Sequence, residues 1–72
     1  MKNGSLITWK RLIPDVTIRS GFREQWENGT IVSRGERATP AGDRIIKILT
    51  NGTIISRNER TFRIRTEAKV VQ

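Results

Sequence analysis

Arg44-Ile45-Ile46-Lys47-Ile48-Leu49-Thr50-Asn51-Gly52-Thr53-Ile54-Ile55-Ser56-Arg57 sets two β-branched runs on either side of an Asn-Gly pair. A two-residue type I′ turn needs positive φ at both central positions, and Asn and Gly accept that best. The stretch therefore reads as a hairpin reversing at Asn51-Gly52, with Leu49 opposite Ile54 and Arg44 opposite Glu59. Both of its faces are apolar: Ile45, Leu49 and Ile54 on one, Ile46, Ile48 and Ile55 on the other. Such a hairpin is either the central element of a sheet or lends one face to a second subunit. The central position is the expectation.

The same phrase occurs upstream. Asn28 to Arg37 and Asn51 to Arg60 agree at eight of ten positions, in the pattern Asn-Gly-Thr-Ile-x-Ser-Arg-x-Glu-Arg. A weaker copy opens the chain at Asn3-Gly4-Ser5. Turn chemistry alone explains that first copy, but not the Ser-Arg-x-Glu-Arg that follows the turn in the other two. The repeat predicts a second hairpin over about Phe22–Arg34, reversing at Asn28-Gly29. Trp26 then faces Ile31 across the pair and shares an apolar face with Phe22.

Around these units, residues 1–13 read as a first strand region and Pro14-Asp15 as a break. Val16-Thr17-Ile18-Arg19 alternates as a half-buried strand does. Residues 35–43 carry Gly, Pro and Asp and form a loop. Thr61-Phe62-Arg63-Ile64-Arg65-Thr66 alternates strictly and reads as another strand, and Lys69-Val70-Val71 adds a short last one. One helical turn near Glu67-Ala68 is compatible with the residues there, but no window holds a helical period over ten or more. The expected fold is all-β: a small antiparallel barrel or strongly curled sheet of about five to six strands, built from β-hairpins with an internal repeat.

The totals bound the function. The 72 residues make a single small domain. A chain this short buries only about 60% of its unfolded surface, so disulfides, a metal or oligomerisation usually help it. Cysteine and histidine are both absent. That removes disulfides, thiolate chemistry, zinc fingers and the Ser-His and Cys-His nucleophilic arrangements. Oligomerisation is the helper that stays open. The carboxylates Asp15, Glu24, Glu27, Asp43 and Glu67 show neither an acid–base pair nor a cage for a metal, and no Gly-rich phosphate loop is present. No enzymatic activity, cofactor or metal is expected. No apolar run spans a bilayer and no signal-peptide core opens the chain, so it reads as a complete cytoplasmic protein with no membrane role.

Lys and Arg number 14 against 7 Asp and Glu, a net charge of +7, and ten of the fourteen are Arg. That surplus favours an anionic partner. Ser33-Arg34-Gly35-Glu36-Arg37 and Ser56-Arg57-Asn58-Glu59-Arg60 each set two arginines around one glutamate just past a strand. Gly35 and Asn58 suit a left-handed residue that would re-aim the arginines as a pair. The groups read either as a duplicated clamp for phosphate oxygens or as local Glu–Arg pairs. Arg63 and Arg65 continue a basic stripe toward Lys69. Trp9 aligns with Arg34 and Arg57 and sits beside Lys10-Arg11, so it is the one aromatic placed to stack on a base.

The residues expected to meet nucleic acid, DNA or RNA, are thus Arg34, Arg37, Arg57, Arg60, Arg63 and Arg65 through phosphates and Trp9 through stacking. The alternative is a protein-binding module or inhibitor docking on an acidic partner surface, possibly as a homo-oligomer. There the Ile46, Ile48 and Ile55 face would be the interface centre, with an arginine rim.

Overall fold

A computed structural model describes residues 1–71. Asn51 (φ 50°) and Gly52 (φ 73°) both take the left-handed backbone of a type I′ turn. They join β3 (Ile45–Thr50) to β4 (Thr53–Asn58), with Leu49 opposite Ile54 as the sequence requires. Asn3-Gly4 also turns: Gly4 has φ 83° and the Ser5 N–H donates to the Lys2 carbonyl at 3.1 Å.

The middle copy of the phrase does something else. Asn28-Gly29 does not turn, and β2 runs straight through it from Phe22 to Arg34. Its antiparallel partner is β1 (Leu6–Pro14), in a register that sets Thr8 opposite Asn28 and Ile7 opposite Gly29. A Cβ at Gly29 would lie 2.6 Å from Ile48 Cγ2 and 2.9 Å from Trp9 Cη2. The missing side chain there makes room for the Trp9 indole to cross the strand. Trp26 and Ile31 consequently lie on opposite faces of the sheet. The hairpin of this half is β1–β2, closed by residues 15–21. Val16-Thr17-Ile18-Arg19 is turn, not strand, because Asp15 Oδ1 takes the Thr17 N–H at 2.9 Å and the Gly21 N–H donates to the Ile18 carbonyl at 2.9 Å.

Thr61 to Thr66 is also not a strand. Glu59–Thr66 forms a helix, α1, followed by β5 (Lys69–Val70). Asn58 precedes it in extended backbone and makes no side-chain cap. The cap comes from the 35–44 loop instead: Asp43 Oδ1 accepts the Arg60 N–H at 2.8 Å and Oδ2 the Thr61 N–H at 3.3 Å. Glu59 in the first turn and Arg63 and Arg65 in the last suit the helix dipole. A left-handed Glu67 (φ 55°) ends it. Neither Gly35 nor Asn58 is left-handed. Asn58 has φ −78°, and the Gly35 N–H closes the sheet end by donating to the Ile45 carbonyl at 2.8 Å.

The result is mostly β: one open antiparallel sheet in the order β4-β3-β2-β1-β5, carrying one short helix. Edges β4 and β5 do not pair, so the sheet is not a closed barrel. β3 is interior but its hairpin partner β4 is an edge. Residues 35–44 connect β2 to β3, and a bulge between Ile31 and Ser33 gives Val32 no partner of its own in the register.

One face holds the core: Ile7, Trp9, Ile31, Ile46 and Ile48 from the sheet, with Phe62 and Ala68 from α1 and the link after it. Ile55 and Met1 pack on its margin. Ile46 and Ile48 are therefore interior, and the outward apolar residues of the β3–β4 hairpin are Ile45, Leu49 and Ile54. That reverses the interface centre the sequence pointed to, because the helix covers the Ile46–Ile48 side. No helix among the described residues is long and apolar enough to cross a membrane.

Candidate functional site

The acidic side chains are nearly all engaged. Glu59 is gripped by Arg34, with Nε on Oε2 at 2.8 Å and Nη2 on Oε1 at 3.1 Å. The Met1 ammonium adds a bond to the same Oε2 at 3.2 Å. These cations, Arg34 first, hold the Glu59 carboxyl below the usual range. Lys10 bridges Glu67 and Glu24, and its ammonium pKa is raised chiefly by the Glu67 hydrogen bond. Arg11 meets Glu27 at 3.0 Å and Arg23 reaches Asp15 at 3.9 Å. Asp43 serves α1, and the Arg60 N–H is the main reason its carboxyl sits below its ordinary value.

Four of the remaining cations lie around α1. Arg57 lies on the helix-bearing face of β4, opposite Ile46, which itself faces Arg34 across β3 and β2. Arg57 Nη1 donates to the Ser56 carbonyl at 2.7 Å. Arg60, Arg63 and Arg65 project from α1 and are exposed. Among the described residues none of these four guanidinium groups has a carboxylate partner.

Three depressions surround the helix. Arg57 and Arg65 line one of about 430 Å³ with Ile45, Asn58 and Phe62. The same two arginines line a second of about 650 Å³, whose walls include Trp9, Arg11, Leu12, Ile55 and Phe62. Arg60 and Arg63 flank a third, of about 440 Å³, beside Ile64 and Ala68. Two arginine pairs thus flank the helix, Arg65 with Arg57 of β4 on one side and Arg60 with Arg63 on the other, each beside a concavity. A guanidinium fork of this kind binds phosphate or carboxylate oxygens in pairs of hydrogen bonds.

The expected residues divide accordingly. The structure brings together Arg57 with Arg65 and Arg60 with Arg63. Arg34 is tied into the Glu59 clamp, which joins the two repeat copies to each other. Arg37 is exposed on the 35–44 loop, with no carboxylate partner among the described residues. Trp9 is 4% exposed and packs edge-on against Phe62, centroids 5.4 Å apart. It forms the floor of the larger groove and is not presented for stacking, because Gly29 leaves room for its ring against β2. The half-exposed aromatic is Trp26 on the opposite face, where the Lys69 ammonium sits 5.5 Å from the ring centroid. Nothing local marked Trp26 as outward, since its face follows from pairing with β1. Arg11 and Leu12 also join the groove wall, and only the Lys10-Arg11 run beside Trp9 hinted at them.

No protein-family model, no curated protein and no solved structure matches this chain.

Proposed function

We propose that the chain is a non-enzymatic nucleic-acid-binding protein that takes phosphates on Arg57, Arg60, Arg63 and Arg65. The observation that supports this is their grouping around α1, each beside a concavity: six of the seven acidic side chains are spent on Lys10, Arg11, Arg23, Arg34 and the helix cap, and among the described residues these four guanidinium groups have no carboxylate partner. Arg37 belongs to the same set as a neighbour on the adjacent loop. Arg34 and Trp9 serve the fold. With no aromatic offered beside the arginines, binding follows the backbone charge and shows little base preference. A cytoplasmic setting goes with this proposal.

The test is a titration of single- and double-stranded oligonucleotides across salt concentration. Four phosphates neutralised give a slope of log K against log[salt] near −3 to −4. Arg57→Gln and Arg65→Gln should each flatten the slope by about one unit. No affinity at low salt, or slopes unmoved by either substitution, overturns the proposal.

A second reading is docking on an acidic protein surface. Its specific support is the larger groove, where Trp9, Ile55 and Phe62 give the arginines an apolar floor. An acidic peptide that displaces bound oligonucleotide, and binds tighter than it at equal ionic strength, would favour this reading.

A further inference from the structure

The sheet has a second face that α1 does not touch. Its register sets one row across all the strands: Ile54 on β4, Leu49 on β3, Thr30 on β2, Leu6 on β1. Val71 extends the row beyond β5, its N–H donating to the Leu6 carbonyl at 3.0 Å. Four of the five residues are large and apolar, and they are exposed: Ile54 57%, Leu49 42%, Leu6 44% and Val71 56%. At the strand spacing of about 4.8 Å the row is roughly 19 Å wide. The rows on either side of it are polar, Asn28, Thr8 and Lys69 along one and Ser56, Lys47 and Ser33 along the other. Beyond these rows Ile45 and Trp26 are again half-exposed on the same face, and a mixed surface with an apolar centre is the anatomy of a protein interface.

We infer that this face packs against the same face of a second copy of the chain, giving a two-layer β-sandwich dimer. Three observations select a second copy as the occupant. The row is symmetric about Thr30, with two apolar residues to each side. A two-fold axis lying in the interface through Thr30 therefore returns it onto itself, apolar residue against apolar residue. The charge is suitable: the face carries Lys10, Lys47 and Lys69 against Glu24, with Glu67 reaching in to Lys10, while the arginine surplus lies on the helix side. Two copies approaching here avoid most of their mutual repulsion. The area also fits. The chain exposes 5459 Å², whereas a compact monomer of its mass exposes about 4600 Å². The excess is of the order of the roughly 800 Å² per partner that a standard interface covers, although the elongation of the 43 × 26 × 20 Å molecule supplies part of it. Stacked at about 10 Å, the two sheets bury a second apolar layer and leave the two arginine-bearing faces pointing outward.

Sedimentation over a concentration series tests this, with the wild type beside Leu49→Glu/Ile54→Glu. Both side chains are solvent-facing in one copy, so the double variant keeps the monomer fold. The wild type should reach twice the monomer mass, and the variant should raise the dissociation constant at least about 100-fold. Should the variant fail to fold, methyl NMR of the wild type decides. Leu6, Leu49, Ile54 and Val71 signals should move with concentration while those of Ile46 and Ile48 stay fixed. A wild type that is monomeric throughout, a dimer that survives in the variant, or shifts confined to other residues overturns the inference.

Discussion

Asn28-Gly29 and Asn51-Gly52 are the same dipeptide, each followed by Thr-Ile, and they do opposite things. At Asn51-Gly52 the pair reverses the chain, and glycine matters for its positive φ. A Cβ at Gly52 would meet nothing within 4 Å. At Asn28-Gly29 the pair continues a strand, and glycine matters for its emptiness, since Trp9 and Ile48 occupy the place a side chain would take. A short motif fixes what the backbone is able to do, and packing decides which of its abilities is used. The difference propagates. Reversal at 28–29 would have made a hairpin there. Continuation instead lengthens β2 and makes β1 its partner. Trp26 is thereby set outward, and Trp9 turns in beneath α1.

The substitution expected to hurt most is Trp9→Ala, which empties the space over Gly29 and removes the contact to Phe62. Chemical denaturation should show a loss of about 3–5 kcal/mol. Gly29→Ala comes next, at about 2–3 kcal/mol, because the new methyl is forced into Ile48 and Trp9. In the Trp9→Ala background the cost of Gly29→Ala should shrink, so a double-mutant cycle separates crowding from any backbone effect. Asp43→Asn follows. It weakens the cap that makes the second copy's tail helical where the first copy's tail is loop, and it should lower helical signal and thermal midpoint together.

The same site sets a pH dependence. Asp43 and Glu59 have carboxyls held below their ordinary values. Their contribution is complete above the unfolded carboxylate range near pH 4 and is lost as pH falls through the lower folded-state values. Acid unfolding of Asp43→Asn should therefore be less steep than that of the wild type. Smallest is Gly52→Ala, at about 1 kcal/mol, a purely conformational cost of positive φ.

What the residues disclosed follows the range of the interactions involved. The β3–β4 hairpin and its register were legible because every determinant lies within a few positions of Asn51-Gly52. The N-terminal turn, the 35–43 loop and the short last strand were legible for the same reason. The pairing of Asn28-Gly29 with β1 was not, because the residue that requires Gly29 lies far back in the chain. Nor was α1. Thr61 to Thr66 alternates as a strand does, its cap is Asp43 on a distant loop, and it buries only Phe62 while Ile64 stays 73% exposed. At the candidate site the arginines were visible as residues but not as partners. That Arg34 is tied to Glu59 of the other repeat copy, and that Arg57 and Arg65 line the same groove, depends on the strand between them and on the helix.

The most direct test is the NMR cross-strand pattern around Gly29. The expected result is contacts joining Thr8 to Asn28 and Trp9 to Glu27, with the Gly29 Hα protons shifted upfield by the indole above them. Contacts joining Glu27 to Thr30, with Gly29 at an unshifted turn position, would contradict the continuous strand and the face assignments that rest on it.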